Sequence, residues 1–174
     1  MRPWGDPVRE DHEALEVQAG ALDAVFKVGA TPQDRWLALK WIVRSLKPIL
    51  EVHLRKEEDI LFPALQKLLG VKANAIPLLL EQHQRLRAYM RHLAEILDDR
   101  PLPWGEIAQA SHRFVELLED HERKEERLLL EVLESNLKRT ELLELAKSFR
   151  HAASENPPHS KPLPHGRPYT QQAS

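Results

Sequence analysis

Apolar residues recur along four stretches of this chain at alternating steps of three and four, the period of one face of an α-helix. The first stripe is Val8, His12, Leu15, Ala19, Leu22 and Phe26. Asp6-Pro7 places a capping residue before a proline suited to the first helical position, and Gly29 ends the segment. The second helix opens in the same way at Thr31-Pro32 and runs toward Leu69-Gly70. Pro48 and Pro63 lie inside it and predict kinks, or a break near Pro48. Its stripe is Leu46, Leu50, His53, Glu57, Ile60, Ala64 and Leu68. The third helix spans roughly Ala73 to Asp98 on Ile76, Leu79, His83, Leu86, Met90, Leu93 and Leu97. After the connection Pro101-Leu-Pro-Trp-Gly105, the fourth spans roughly Glu106 to Leu137. Its stripe is Ile107, Ala110, Phe114, Leu117, His121, Glu125, Leu128 and Val132.

Four amphipathic helices with short links predict an all-α, antiparallel up-down-up-down four-helix bundle over residues 1–153. A shorter helix is expected near Thr140 to His151. Residues 154–174, rich in Pro, His, Ser and Gln, read as a disordered tail.

What interrupts the stripes is chemically specific. His12, His53, Glu57, His83, His121 and Glu125 all fall where the helical period points to the core. Buried imidazoles and carboxylates cost several kcal/mol each unless paired or neutralised. The six also form a repeat, a histidine followed by His-x3-Glu, given once in each half of the chain. The two runs His53-Leu-Arg-Lys-Glu-Glu-Asp-Ile-Leu61 and His121-Glu-Arg-Lys-Glu-Glu-Arg-Leu-Leu129 are nearly the same. Histidine and glutamate four apart stand on one helix face, with Cβ atoms about 6 Å apart. One such pair grips a cation from one side, and two grip it from two. The plainer alternative is a set of core histidines hydrogen-bonded to glutamates, with Arg-Lys-Glu-Glu as a solvated face. Only the His and the first Glu of each run are expected to point inward, leaving Arg55, Lys56, Arg123 and Lys124 outside.

Composition narrows the chemistry. The absence of cysteine excludes disulfides and thiolate ligands and is compatible with a reducing, cytoplasmic setting. Four imidazoles and two carboxylates suit iron, manganese or zinc, and two carboxylates from facing helices can bridge two cations about 3.5–4 Å apart. A net charge of −2 without a basic block argues against nucleic acid. No secretory signal is read at the start, and no segment approaches about 18 uninterrupted apolar residues, so no membrane is expected. His92 and His112 lie half a turn away from His83 and His121 and face outward. His151, His159 and His165 lie at or beyond the end of the fold. Trp36 and Trp41 read as packing residues.

The run His53-x3-Glu57-Glu58-x2-Leu61-Phe62-Pro63, then Glu81-Gln-His83, then His121-x3-Glu125, resembles the hemerythrin-like, or HHE cation-binding, domains over about residues 7–137. The resemblance implies a non-haem di-iron centre in a four-helix bundle. His12, His53, His83 and His121 would be terminal ligands, and Glu57 and Glu125 bridges beside an oxo or hydroxo group. Two departures stand out. The oxygen carriers of that family have a further histidine one turn after the third-helix histidine, where this chain has Arg87. They also place the last carboxylate five residues after its histidine, where this chain has Glu126; Glu125, which copies the Glu57 spacing and sits on the stripe, is favoured as the bridge, with Glu126 the alternative. Four histidines leave an open coordination sphere for dioxygen, nitric oxide or peroxide. The alternatives are an iron-sensing, iron-handling or iron-centre-repair protein, and a redox-inactive metal-binding bundle.

Overall fold

A computed structural model describes residues 5–27, 29–70, 75–99, 101–127 and 131–154. Among them the chain is all-helical, with no strand. The helices are α1 (Asp6–Lys27), α2 (Pro32–Lys56), α3 (Phe62–Leu69), α4 (Ala75–Ile96), α5 (Trp104–Glu125), α6 (Glu131–Asn136) and α7 (Arg139–Ser154). None is long and apolar enough to cross a membrane. Of the expected tail only Ser154 is described, as the end of α7; residues 155–174 lie outside the described residues. Leu128, expected on the fourth stripe, also lies outside them.

The start of α2 follows from its sequence. Thr31 stands in extended backbone, its Oγ1 accepts from the Asp34 amide at 3.1 Å, and Pro32 supplies the first turn. Of the kink or break expected at Pro48 there is no break; α2 runs through it to Lys56. The interruption comes later. Glu57–Leu61 is a π-helical turn, in which the Phe62 amide reaches back five residues to the Glu57 carbonyl. Pro63, which has no amide hydrogen and crowds the carbonyl four residues before it, follows directly.

The wide turn changes which residues face inward. Beyond Glu57 the buried positions are Leu61, Phe62 and Leu65, while the expected Ile60, Ala64 and Leu68 are only partly buried. The second copy departs from the continuous fourth helix in the same place. The α-helix α5 ends at Glu125, Glu126 and Arg127 are π-helical, and in α6 it is Leu133 rather than Val132 that is buried.

α1 packs on α2 and α5, and α4 packs on α5 and α2. Their inner faces form two apolar clusters, one holding Leu15, Leu22, Leu50, Leu86, Phe114 and Leu118, the other Val8, Leu61, Phe62, Leu79, Leu133 and Phe149. In α1 and α4 the stripe runs from the second cluster through His12 and His83 to the first, whereas α2 and α5 contribute to the first alone, and the chain reaches the second beyond them, at Leu61 and Phe62 and at Leu133.

The C-terminal helix α7 completes the second cluster with Leu142, Ala146 and Phe149. Phe149, 1% exposed, lies 4.7 Å from the ammonium of Lys56. The stripe pattern puts Lys56 outside, yet it is buried, with its Nζ 2.5 Å from Asp11 Oδ2. An aliphatic stem with a paired head is the form in which a lysine is tolerated there. Removing the ring in Phe149→Ala is expected to cost about 3–5 kcal/mol of folding stability. Urea denaturation monitored by circular dichroism measures it; a loss below about 1 kcal/mol would show that α7 is not part of the cooperative core.

Candidate metal centre

The six polar stripe residues meet at one place. His53, Glu57, His83, His121 and Glu125 have no solvent exposure, and His12 has 4%. α1 brings His12, α2 brings His53, the π turn opens with Glu57, α4 brings His83, and α5 brings His121 and Glu125. Their potential ligand atoms form two groups that share Glu57: His12, His53, Glu57 and Glu125 in one, and Glu57, His83 and His121 in the other. Within each group all these atoms lie within 4.8 Å of one another.

The two halves mirror each other. The rings of His12 and His53 stand edge to face with centroids 5.0 Å apart, and those of His83 and His121 do the same at 4.8 Å. Glu57 lies between the pairs. Its Oε1 is 2.5 Å from His53 Nε2, and its Oε2 is 2.9 Å from His83 Nε2 and 3.3 Å from His121 Nε2. Glu125 Oε2 is 3.0 Å from His12 Nε2.

Of these contacts only His12 Nε2 to Glu125 Oε2 is a hydrogen bond. Nε2 of His53, His83 and His121 and both Glu57 oxygens lack a hydrogen-bond partner despite their closeness. Such atoms are directed at shared points rather than at one another. Donors held at about 2.0–2.2 Å from one cation stand about 3 Å apart, which matches these separations. A donor set of imidazoles and carboxylates without sulfur fits iron, manganese or zinc. The residues therefore fit a bound metal.

A surrounding layer orients the rings. His83 Nδ1 donates to Glu58 Oε1 at 2.7 Å, which keeps the proton on Nδ1 and turns the Nε2 lone pair toward Glu57. Arg87 in turn donates to Glu58 at 2.7 Å and to Glu51 at 2.9 Å. On the other side His53 Nδ1 faces Asp11 at 3.6 Å, and Asp11 is held by Lys56. The stripe pattern does not single out Asp11 or Glu58, although each adjoins a predicted site residue.

Glu125 and Glu126 separate clearly. Glu125 is fully buried, whereas the Glu126 side chain is 50% exposed, with Oε1 4.0 Å from His12 Nδ1. Glu122, which no stripe includes, is 4% exposed, and neither of its carboxylate oxygens has a hydrogen-bond partner. Its burial is legible in a stripe one position wider, since it follows buried Leu118 by four and precedes Glu125 by three. His92 and His112 do face outward, 42% and 60% exposed, beside Glu106 and Glu116.

The charges are strongly coupled. Burial disfavours the His53 imidazolium, but facing Glu57 and neighbouring Asp11 outweigh it and push its pKa up to about 10. Burial also opposes the charged His12, which Glu125 nevertheless holds above its ordinary value. The Glu57 carboxyl, despite burial, is held well below the usual range by the three histidines around it. Burial and the like charge of Glu57 push Glu125 up.

Residues 74–155 match the family model of the hemerythrin HHE cation-binding domain. The matched stretch holds His83, His121 and Glu125 and bears out the resemblance read from the sequence. No curated protein matches the chain.

A cation held by His12 and His53 must displace the protons their rings favour. Protons are the competitor, so raising the pH toward about 10 is expected to strengthen binding, about tenfold per pH unit for each proton displaced. Calorimetry of divalent-cation binding near pH 8, in buffers of different ionisation enthalpy, counts these protons. Binding without proton release at that pH would contradict the arrangement.

Proposed function

We propose that this chain is a hemerythrin-like protein, an antiparallel up-down-up-down four-helix bundle around two non-haem irons, which binds or senses dioxygen, nitric oxide or peroxide there. The reading rests above all on the Glu57 carboxylate, whose Oε1 faces His53 while Oε2 faces His83 and His121. A carboxylate with separate partners on its two oxygens suits a bridge between cations about 3.5–4 Å apart. His12, His53 and Glu125 would hold one iron with Glu57, and His83 and His121 the other. α1 and α4 run from the second apolar cluster toward the first, α2 and α5 lead out of the first toward the π turn, α3 and α6 in the second, and this alternation supports the bundle topology.

Bound iron would supply the redox and ligand-binding chemistry. The chain's part is to hold it, to fix the orientation of the His83 ring through Glu58, and to surround it with apolar side chains. Phe62, stacked on His83 at 5.2 Å, is one of these. The two halves are unequal in donors, four residues on the His12 side and three on the His83 side. Arg87 adds none, since a guanidinium has no lone pair to give and this one is committed to Glu51 and Glu58. The smaller donor count supports a small ligand binding on the His83–His121 side.

A role in iron sensing or handling is the second reading. Donors drawn from four helices and the π turn make metal binding part of folding, so occupancy can govern the shape a partner meets. A cytoplasmic setting accords with both readings.

Protein produced with ample iron is expected to carry about two irons per chain and the near-ultraviolet charge-transfer bands of a bridged ferric pair. A colourless product with traces of iron would sink the reading. Glu57→Ala is expected to lose both irons, and Glu125→Ala to lose the bridged spectrum and lower the Tm of the loaded form. If Glu126→Ala does so and Glu125→Ala does not, the bridge is misassigned. Rapid mixing of the reduced protein with dioxygen, nitric oxide and peroxide separates the roles: reversible binding marks a carrier or sensor, turnover an enzyme, and inertness iron handling.

A further inference from the structure

Beside the centre, a groove of about 470 Å³ runs between α1 and α5 and has His12 on its wall. Five glutamates line it, Glu13, Glu16, Glu119, Glu122 and Glu126, against two arginines. Four of the five are exposed and need no explanation beyond solvation. Glu122 is different. It is 4% exposed, both its oxygens lack hydrogen-bond partners, and it lies next to His121 and one turn before Glu125. It does not belong to either group of converging donors, so it stands outside the two sites.

An unpartnered carboxylate in this position is costly to folding and contributes nothing to packing. Its surroundings specify what it would bind. The excess of carboxylates repels anions, a neutral diatomic gains nothing from the charge, and a divalent cation is drawn in. α1 leaves the way open with small residues, Ala19 and Gly20; a Cβ at Gly20 would meet no atom within 4 Å.

We infer that this groove is the loading route of the centre, and that Glu122 is a transfer ligand that takes a divalent transition-metal cation from the groove and passes it to His12 and Glu125. The inference rests on reading the buried cluster as a metal centre. Glu122 exchanges for water on the incoming cation where the groove is lined by buried side chains, its own and that of His12.

The test is stopped-flow mixing of the metal-free full chain with Co²⁺, followed by its visible absorption, with final stoichiometry measured separately. Glu122→Gln keeps the shape and removes the charge; it is expected to slow loading about tenfold or more while leaving the final stoichiometry and spectrum unchanged. Gly20→Leu, which narrows the groove from an exposed position, is expected to slow loading in the same way. Glu144→Gln, on the exposed face of α7, controls for net charge and should load at the wild-type rate. Loading of Glu122→Gln at the wild-type rate overturns the proposal. So does a lost cation in that variant, which would make Glu122 a resident ligand. If Glu122→Gln does not fold, wild-type loading by Gly20→Leu overturns it instead. A wild-type chain that takes up no Co²⁺ removes the metal-centre reading and the loading route with it, whereas a failure confined to the variants leaves the centre standing.

Discussion

The structure depends on keeping one carboxylate, Glu57, wholly out of water between two pairs of histidines. A buried anion is tolerated only where opposing charge or directed donors surround it. Here the surrounding groups come from α1, α2, α4 and α5, so the four helices must be in register at one level for the charge to be compensated. That requirement cuts the core into two apolar clusters with a polar layer between them. It also accounts for the π turn. The wide turn lets Glu57 point into the layer while Leu61 and Leu65, four and eight residues on, seal it from below.

The two halves of the layer share a plan but not a supporting cast. On the His53 side, Asp11 and the buried Lys56 form an ion pair beneath Phe149 of α7. On the His83 side, Glu58 fixes the ring and Arg87 fixes Glu58. Arg87 supports His83 at one remove, through a hydrogen-bonded carboxylate, and its guanidinium, with no lone pair to give, adds no donor of its own to the layer.

Much of this is legible in the order of the amino acids. Val8, Leu15, Leu22, Leu79, Leu86, Leu93 and Phe114 stand on stripes whose period demands burial, and all are buried. Thr31 and Pro32 announce the start of α2 through chemistry confined to one turn. The six histidines and glutamates are identifiable because polar groups at apolar positions break a pattern that is otherwise strict. Pro48 leaves a kink or a break open because a proline acts through the carbonyl four residues before it, and a helix can absorb that loss without breaking. The stripe beyond Glu57 misleads because a period of 3.6 does not carry through a turn that lacks it.

Local periodicity therefore determined the helices and the identity of the residues sent inward, since both depend on spacings of three and four along one segment. What only the tertiary structure decided are relations between segments. The sharing of Glu57 by two histidine pairs, the burial of Lys56 against Asp11 and Phe149, and the unpartnered Glu122 beside a groove all belong to this class. Each depends on where a second helix places its atoms, and a charge in water becomes a different object once a neighbouring helix has removed the water.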